Sequence, residues 1–231
     1  MLYGNRIKMA LAVIGCITFS INFAAAQTFD ASADFDVAHN PSQINGGAFR
    51  YGYETAPGST FNLFLTPYNN SGKLLGWTTG SGVPIAAKNI SGSTFYVQPG
   101  DVLLHPDSSG DYSVVRFVAP SSGTYTLSSS FDGGPSGATT DVHVLLNSVA
   151  LFNGNVSGNV VSYSNSHLAL SGGDEVDFAV GYGIDGSYLS DSTGLLATLT
   201  DVSPATPEPN ALIGLSGLCA AFGLTRARHK R

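Results

Sequence analysis

The side chains that could carry out catalysis in this sequence are a few histidines and one short acidic run. They are His39, His105, His143 and His167, together with Asp174, Glu175 and Asp177. None of them belongs to a nucleophile-elbow, metalloprotease or phosphate-loop motif. We therefore expect a protein that is not an enzyme, and we assign no catalytic residue.

Two of the histidines, His105 and His143, are embedded in segments that have the character of β-strands. No second ligand follows either of them at the spacing of a zinc site. We expect each imidazole to lie on a sheet face and to hydrogen-bond a neighbour. Only convergence in space with other ligands would make a metal site of them.

The acidic run suits a cation better than it suits hydrolysis. Glu175 and Asp177 are two residues apart, so on a strand both carboxylates point to the same side. That arrangement favours a shared metal ion over the opposed acid and base of a glycosidase. Asp174 precedes them, and we expect it to cap the turn at Gly172 and Gly173.

Calcium is the one cofactor that the sequence leaves open. Besides Glu175 and Asp177, residues 185–187 and 191–194 carry oxygen side chains in loops, although neither segment has EF-hand spacing. We otherwise expect no cofactor.

Aromatic side chains bear on sugar binding, because a flat ring can stack on the face of a pyranose. The candidates are Tyr51, Tyr53, Tyr68, Trp77, Tyr182 and Tyr188. Trp77 and Tyr182 stand next to glycines that would leave their faces open, so these two are the predicted glycan-binding residues. Core packing is the alternative for most of the six, since aromatic residues dominate β cores.

The elements that must position these residues are strands. Short runs rich in β-branched and aromatic residues alternate with clusters of glycine, serine, asparagine and proline, a pattern typical of an all-β sandwich or barrel. The predicted strands are residues 49–53, 61–67, 74–78, 95–97, 102–105, 112–117, 123–130, 141–146, 149–153, 160–168, 175–181 and 195–200.

Two of these strands alternate clearly between apolar and polar residues. Val142 and Val144 share one face of their strand, as do Val176, Phe178 and Val180 in theirs. Because side chains alternate between the faces of a strand, one face should pack inward and the other should meet water or a second layer.

Charge and cysteine content exclude several classes of function. Residues 27–206 contain 15 Asp or Glu against four Lys or Arg, a formal charge of −11. A phosphate backbone would be repelled by that surface, so we expect no nucleic-acid partner. Both cysteines, Cys16 and Cys219, lie outside this segment, so it can contain neither a disulfide nor a thiolate zinc site.

The first 26 residues have the order of a secretory signal. Arg6 and Lys8 precede an apolar run over residues 9–23, and small residues including Ala24 and Ala26 precede Gln27. We predict a signal helix and cleavage after Ala26 by signal peptidase. A lipobox-like cut before Cys16 is the alternative, although the residues after that cysteine remain apolar.

The other end of the chain has three parts in a fixed order. Pro207, Glu208 and Pro209 are followed by an apolar run over residues 211–224 and then by a basic cluster. The cations of that cluster are Arg226, Arg228, Lys230 and Arg231. Fourteen helical residues span about 21 Å, less than the ~30 Å hydrocarbon core, so the segment is short for a permanent anchor.

This tail resembles the PEP-CTERM sorting signal of bacterial envelope proteins over about the last 26 residues. The resemblance implies recognition of Pro207, Glu208 and Pro209 by exosortase, a membrane-embedded cysteine transpeptidase. It also implies a short transmembrane helix, a basic cluster held in the cytoplasm, and release to the cell surface or extracellular matrix after the tail is removed.

The middle of the chain, over roughly residues 35–200, is similar in pattern to jelly-roll domains that occur on such proteins, and in plan to carbohydrate-binding modules. Segments 104–106, 113–120, 123–125, 140–144 and 173–181 carry the resemblance. It implies an antiparallel jelly-roll β-sandwich.

We thus predict a signal peptide at residues 1–26, a β-sandwich at 27–204 and a sorting signal at 205–231. The expected function is that of an exported, non-catalytic envelope or matrix protein, sorted by exosortase and associated with exopolysaccharide through the family resemblance. The alternatives are a glycan-binding module that uses surface aromatics, and a glycan-active hydrolase or lyase.

Overall fold

The computed structural model describes residues 26–135 and 137–202. In chain order the strands are β1 (Thr28–Asp30), β2 (Phe49–Glu54), β3 (Asn62–Leu63), β4 (Thr66–Asn70), β5 (Leu74–Thr78), β6 (Ile85–Asn89), β7 (Val102–His105), β8 (Tyr112–Val118), β9 (Gly123–Asp132), β10 (Asp141–Leu146), β11 (Val149–Asn155), β12 (Val160–Leu170), β13 (Glu175–Val180) and β14 (Thr193–Asp201). Within the described residues the helical structure is a single 3₁₀ turn, Ile44–Gly46.

The strands form two antiparallel sheets. The large sheet has eight strands in the order β12-β9-β14-β7-β6-β5-β4, with β1 paired to β14, and the small sheet has six in the order β11-β10-β13-β8-β2-β3. From β7 onward every connection except that between β10 and β11 passes from one sheet to the other, as in jelly rolls. The prediction of an all-β antiparallel sandwich is confirmed.

The main core lies between the sheets and is built around aromatic rings. Phe117 of β8 is fully buried, and its ring centroid lies 5.2 Å from that of Phe29, 5.6 Å from Phe49 and 6.1 Å from Tyr125. Burying such rings is the dominant contribution to stability in a sandwich of this kind.

The predicted alternation of β10 and β13 is confirmed. The side chains of Val142, Val144, Val176, Phe178 and Val180 are fully buried in the core between the sheets.

Two strands were not predicted. β6 reads Ile-Ala-Ala-Lys-Asn, and alanine and lysine have low β-propensity, yet Ala86 and Ala87 are fully buried. β1 has only three residues, too few to reveal an alternation of apolar and polar residues. β1 depends on pairing with β14 at the other end of the sandwich domain, and β6 depends on being flanked by β5 and β7.

Two other predictions change in detail. The predicted strand at 61–67 is two strands, because β3 pairs with β2 in the small sheet and β4 pairs with β5 in the large one. The predicted strand at 95–97 is only an isolated bridge between Phe95 and Val97.

The turn before β13 is capped as predicted. An oxygen of Asp174 accepts a hydrogen bond from the backbone N–H of Ser171 at 2.7 Å, and the other accepts one from the Asn147 side chain at 3.0 Å.

The predictions for the two ends fall mostly outside the described residues. Ala24, the motif Pro207, Glu208 and Pro209, and the cations Arg226, Arg228, Lys230 and Arg231 all lie there. Ala26 and Gln27 are described: both are exposed, and the Gln27 carbonyl accepts a hydrogen bond from Asp201 N–H at 2.9 Å. Over residues 26–135 and 137–202 no helix is long and apolar enough to cross a bilayer.

Candidate functional site

A groove of about 450 Å³ lies on the outer face of the large sheet, across β4 to β7. Its floor consists of Leu74, Ile85 and Leu103, which point away from the main core because their strand neighbours point into it. These three side chains belong to a separate apolar cluster that the segment around Phe95 and Val97 partly covers. At β5, β6 and β7 the outward face of this sheet is therefore apolar, and these three side chains are buried beneath that segment.

Three tyrosines from different parts of the chain surround that floor. Tyr68 lies on β4, Tyr96 on the loop between β6 and β7, and Tyr188 on the loop between β13 and β14. Tyr96 has a left-handed backbone (φ 65°) and is 49% exposed. Such a conformation is unfavourable for a bulky residue, and it occurs mostly where the surrounding structure enforces it.

Tyr68 is placed by the glycine opposite it. In the register of β4 and β5, Tyr68 is paired with Gly76, so its ring has no competing side chain across the strand. A Cβ at Gly76 would come within 2.2 Å of the Ala86 carbonyl oxygen, so glycine is required there by the close approach of β5 and β6.

His105 at the end of β7 completes the wall of the groove. Its ring meets that of Tyr188 edge-on, with 6.1 Å between centroids. Its Nδ1 lies 2.7 Å from the carbonyl oxygen of Pro106, which can only accept, so Nδ1 carries the hydrogen and Nε2 is the acceptor. Burial lowers the pKa of His105, which keeps the imidazole neutral near pH 7.

The groove carries no formal charge among its described lining residues. Besides the residues named above, it is lined by Asn70, Ser81, Gly82, Val83 and Ser192. Burial raises the pKa of Tyr68, so that its hydroxyl remains a hydrogen-bond donor at neutral pH. The groove therefore combines flat rings with uncharged donors and acceptors.

The structure contradicts the prediction that Trp77 binds glycan. Trp77 is 7% exposed, belongs to the main core, and donates its indole N–H to the Asp36 carbonyl oxygen at 2.8 Å. Because side chains alternate along β5, the neighbouring Gly76 opens the outer face of the sheet while Trp77 points inward. The Trp77 ring offers no face to a sugar.

The other predicted aromatic residues divide between core and surface. Tyr51 is fully buried, and Tyr53 packs against the main core. Tyr182 is half-buried against Gly110 and does not line the groove, so its role in glycan binding stays a prediction. Tyr68 and Tyr188, both among the six candidates, are the two that the structure brings together.

The acidic pair Glu175 and Asp177 does share a cation, but that cation is Arg116. The guanidinium Nε and Nη2 donate to the two oxygens of Asp177 at 2.6 and 2.8 Å, and Nη1 lies 2.6 Å from Glu175 Oε2. The predicted metal site at these residues is therefore wrong, because Arg116, which is paired with Asp177 in the register of β8 and β13, occupies the place of the ion. Within the described residues there is no group of three or more potential metal ligands.

Glu54 is a third carboxylate on the same guanidinium, 3.3 Å from Arg116 Nη2. Burial raises the pKa of Glu54 to about 7, and the charge of Asp177 adds to the shift. Glu54 and Asp177 are fully buried, and the Phe61 ring covers the guanidinium with its centroid 4.3 Å from Cζ. The acids converge here on one cation rather than across an open cleft, so the arrangement does not suit glycoside hydrolysis.

His143 forms hydrogen bonds to neighbouring side chains on its sheet, as predicted. Its Nε2 lies 2.9 Å from Asp141 Oδ2, and its Nδ1 lies 2.6 Å from Asn153 Oδ1. Tyr112 donates its hydroxyl to the same Asp141 oxygen at 2.5 Å. These bonds explain both side chains as parts of a polar network on the small sheet.

No protein-family model and no curated protein sequence matches the chain. Among solved structures, it is similar to a family 51 carbohydrate-binding module from Clostridium perfringens in complex with methyl-galactose (16% identity, 60% of this chain and 94% of that chain, TM-score 0.34). It is also similar to a family 35 module from an environmental isolate (15%, 68% and 96%, TM-score 0.31) and to rabbit GITRL (11%, 67% and 95%, TM-score 0.28). With TM-scores this low, the fold rests on the strand pairing described above.

Proposed function

We propose that this protein is a non-catalytic glycan-binding protein and that the groove on the large sheet is its binding site. The observation that carries the proposal is the convergence of Tyr68, Tyr96, Tyr188 and His105 around an apolar floor on a solvent-facing sheet. A volume of about 450 Å³ lies within the range of small-molecule sites, ~300–1,000 Å³.

Sugars match this surface chemically. The axial C–H groups of a pyranose make an apolar face that can pack on a tyrosine ring, while its hydroxyls need donors and acceptors at the edges. The hydroxyls of the tyrosines, the Asn70 amide and His105 Nε2 are groups of that kind. The floor residues are themselves buried, so a sugar would make its apolar contact with the tyrosine rings, of which Tyr96 is 49% exposed.

The absence of charge among the described lining residues selects the class of glycan. A uronate or sulfated polymer would bring negative charge to a domain of formal charge −11 without a cation in the groove to receive it. Neutral glycans are therefore the proposed ligands.

The test is retention of the purified protein on immobilised neutral polysaccharides (starch, a β-glucan and a galactan), with alginate as the anionic comparison. Tyr188→Ala and Tyr96→Ala should each weaken binding at least tenfold, about 1.4 kcal/mol. Tyr182→Ala is the matched control, because it removes a half-buried tyrosine from the same loop as Tyr188 but outside the groove.

Two results would contradict this site. If Tyr182→Ala abolished retention while Tyr188→Ala did not, glycan binding would lie elsewhere on the surface. If alginate alone retained the protein, the proposal of neutral ligands would be wrong.

We infer in addition that the protein is exported and handled by exosortase. The inference rests on the sequence of the two ends, which have the order of a secretory signal and of a PEP-CTERM sorting signal. Intact mass of the protein from the surface fraction of its native host tests it. A species that begins at Gln27 and ends near Pro207, Glu208 and Pro209 is expected, whereas one that retains residues 211–231 would contradict sorting by cleavage.

A further inference from the structure

Asp191, at the end of the loop between β13 and β14, is a fully buried acid with an incomplete set of partners. Its Oδ1 accepts a hydrogen bond from the backbone N–H of Thr139 at 3.1 Å. Its Oδ2 is buried and has no hydrogen-bond partner in the described part of the chain. Buried polar atoms are nearly always satisfied, so an orphan carboxylate oxygen needs an explanation.

The charges near Asp191 make the explanation more specific. Thr139 Oγ1, 3.5 Å from Asp191 Oδ1, donates to Asp185 Oδ2 at 2.8 Å, so one hydroxyl joins the two acids. Burial raises the pKa of Asp191, and the charges of Asp185 and Asp141 add smaller contributions in the same direction. None of the ion pairs formed between described residues includes Asp191.

Protonation alone does not resolve this arrangement. A neutral carboxyl group would remove the repulsion from Asp185, but its Oδ2 would still lack a partner and would still carry the cost of a buried, unsatisfied polar atom. A cation placed against Oδ2 would offset both the repulsion and the lost hydration. The contrast is with Asp177, whose equally buried carboxylate has Arg116 on both oxygens.

We propose that Asp191 and Asp185, which both lie in the loop between β13 and β14, bind a calcium ion. Carboxylate, hydroxyl and carbonyl oxygens are hard ligands of the kind that calcium takes, and calcium tolerates an irregular loop site better than magnesium does. With two carboxylates, the remaining ligands would be loop oxygens and water. So few charges indicate the weak range of extracellular sites, about 10⁻⁴–10⁻³ M.

The consequence of the proposed ion is local order at the groove. Residues 181–192 connect β13 to β14 and carry Tyr188, so an ion at Asp185 and Asp191 would hold the chain on both sides of this tyrosine. The site does not depend on glycan binding, and its test uses no sugar.

The experiment is thermal unfolding and isothermal titration calorimetry of the purified protein after treatment with a chelator. Calcium chloride at about 10 mM, roughly tenfold above the weak end of extracellular sites, should raise Tm by several degrees and give a saturable heat of binding. Magnesium chloride at the same concentration should give a clearly smaller shift, and it also controls for ionic strength.

Asp191→Asn should abolish the calcium shift while the protein remains folded in chelator, since the amide removes the buried charge and keeps the shape. Asp185→Asn, at an exposed position, should weaken calcium binding at least tenfold without a risk to the core. Asp174→Asn is the control, because Asp174 also caps a turn but lies at the opposite end of β13 from Asp185.

A purely structural role would give a different pattern. Asp191→Asn would then lower Tm equally with and without calcium, and the calcium shift would persist. That pattern would overturn the proposal. So would a Tm shift with magnesium that equals the calcium shift in both the parent protein and Asp191→Asn, or the absence of calcium binding at about 10 mM.

Discussion

The outer faces of the two sheets carry different kinds of side chain, although both belong to one sandwich. On the large sheet the outward residues Leu74, Ile85 and Leu103 are apolar and uncharged tyrosines surround them in an open groove. On the small sheet Arg116 joins Glu54, Glu175 and Asp177, and Phe61 covers the guanidinium. The first face is left available to a ligand, and the second already has its partners within the chain.

The difference separates the proposed binding surface from a cluster that has a structural role. The acids of the small sheet would be the first candidates for a functional site, yet they already converge on Arg116 within the chain. The tyrosine groove has no charged residue among its described lining, and the side chain of Tyr96 remains 49% exposed there. Removing residues from the two faces should therefore change different measurable properties.

The largest expected effect is on the small sheet. Arg116→Ala leaves Asp177 and Glu54 buried without their cation, which should lower the free energy of unfolding by about 3–5 kcal/mol. Urea unfolding followed by circular dichroism measures it. Arg50→Ala is the control, because Arg50 is paired with Arg116 in the register of β2 and β8 but forms no ion pair with the described residues. Similar losses in both variants would refute the assignment of Arg116 as the centre of the cluster.

A comparable loss is expected from the inner side of the groove's own strand. Trp77→Ala removes a buried ring and its hydrogen bond to Asp36, which should cost about 3–5 kcal/mol of unfolding free energy. Trp77→Phe should cost less because it keeps most of the volume. If Trp77→Ala were fully stable and lost only glycan retention, the inward orientation of this ring would be wrong.

The next effect is the pH dependence of stability, which should come from the small sheet. The pKa of Glu54 is raised from 4.5 to about 7 in the folded state, so between these values the unfolded chain loses a proton that the folded chain keeps. Its contribution is present below pH 4.5 and is lost as pH rises through about 7, up to about 3 kcal/mol. Glu54→Gln should flatten this part of the curve in urea unfolding at a series of pH values. An unchanged slope would show that Glu54 is ionised in the fold.

The smallest effect is expected in the groove, above neutral pH. Burial lowers the pKa of His105 from 6.5 and raises that of Tyr68 from 10.0, so neither side chain changes charge appreciably between about pH 7.5 and 8.5. Glycan affinity, measured by calorimetry, should stay constant within about twofold across this range. An affinity that changed tenfold across this range would place a titrating group in the site.

The fold could be predicted where apolar and polar residues alternate along a strand, and could not where the local residues have low β-propensity. β10 and β13 show their inward valines directly, whereas β6 is rich in alanine and is a strand only because β5 and β7 flank it. The chain also changes sheets between β3 and β4, at Phe64 and Leu65, and no local signal marks that point.

The groove was less accessible to sequence reasoning than the fold. Tyr68, Tyr96 and Tyr188 come from three separate segments, and only the folding of the large sheet brings them together. The error at Trp77 has a simple origin: the glycine beside it frees the opposite face of the strand. Likewise, strand geometry predicted that Glu175 and Asp177 share a cation. That the cation is Arg116 could not be predicted without knowing that β8 lies beside β13.

The inward position of Trp77 has a practical consequence, since it is the only tryptophan in the chain. Its indole is enclosed in the core on the side of β5 that faces away from the groove. Its fluorescence should therefore shift to longer wavelength when the sandwich opens, and change little when the groove fills. One intrinsic chromophore thus reports the integrity of the fold separately from the occupancy of the site.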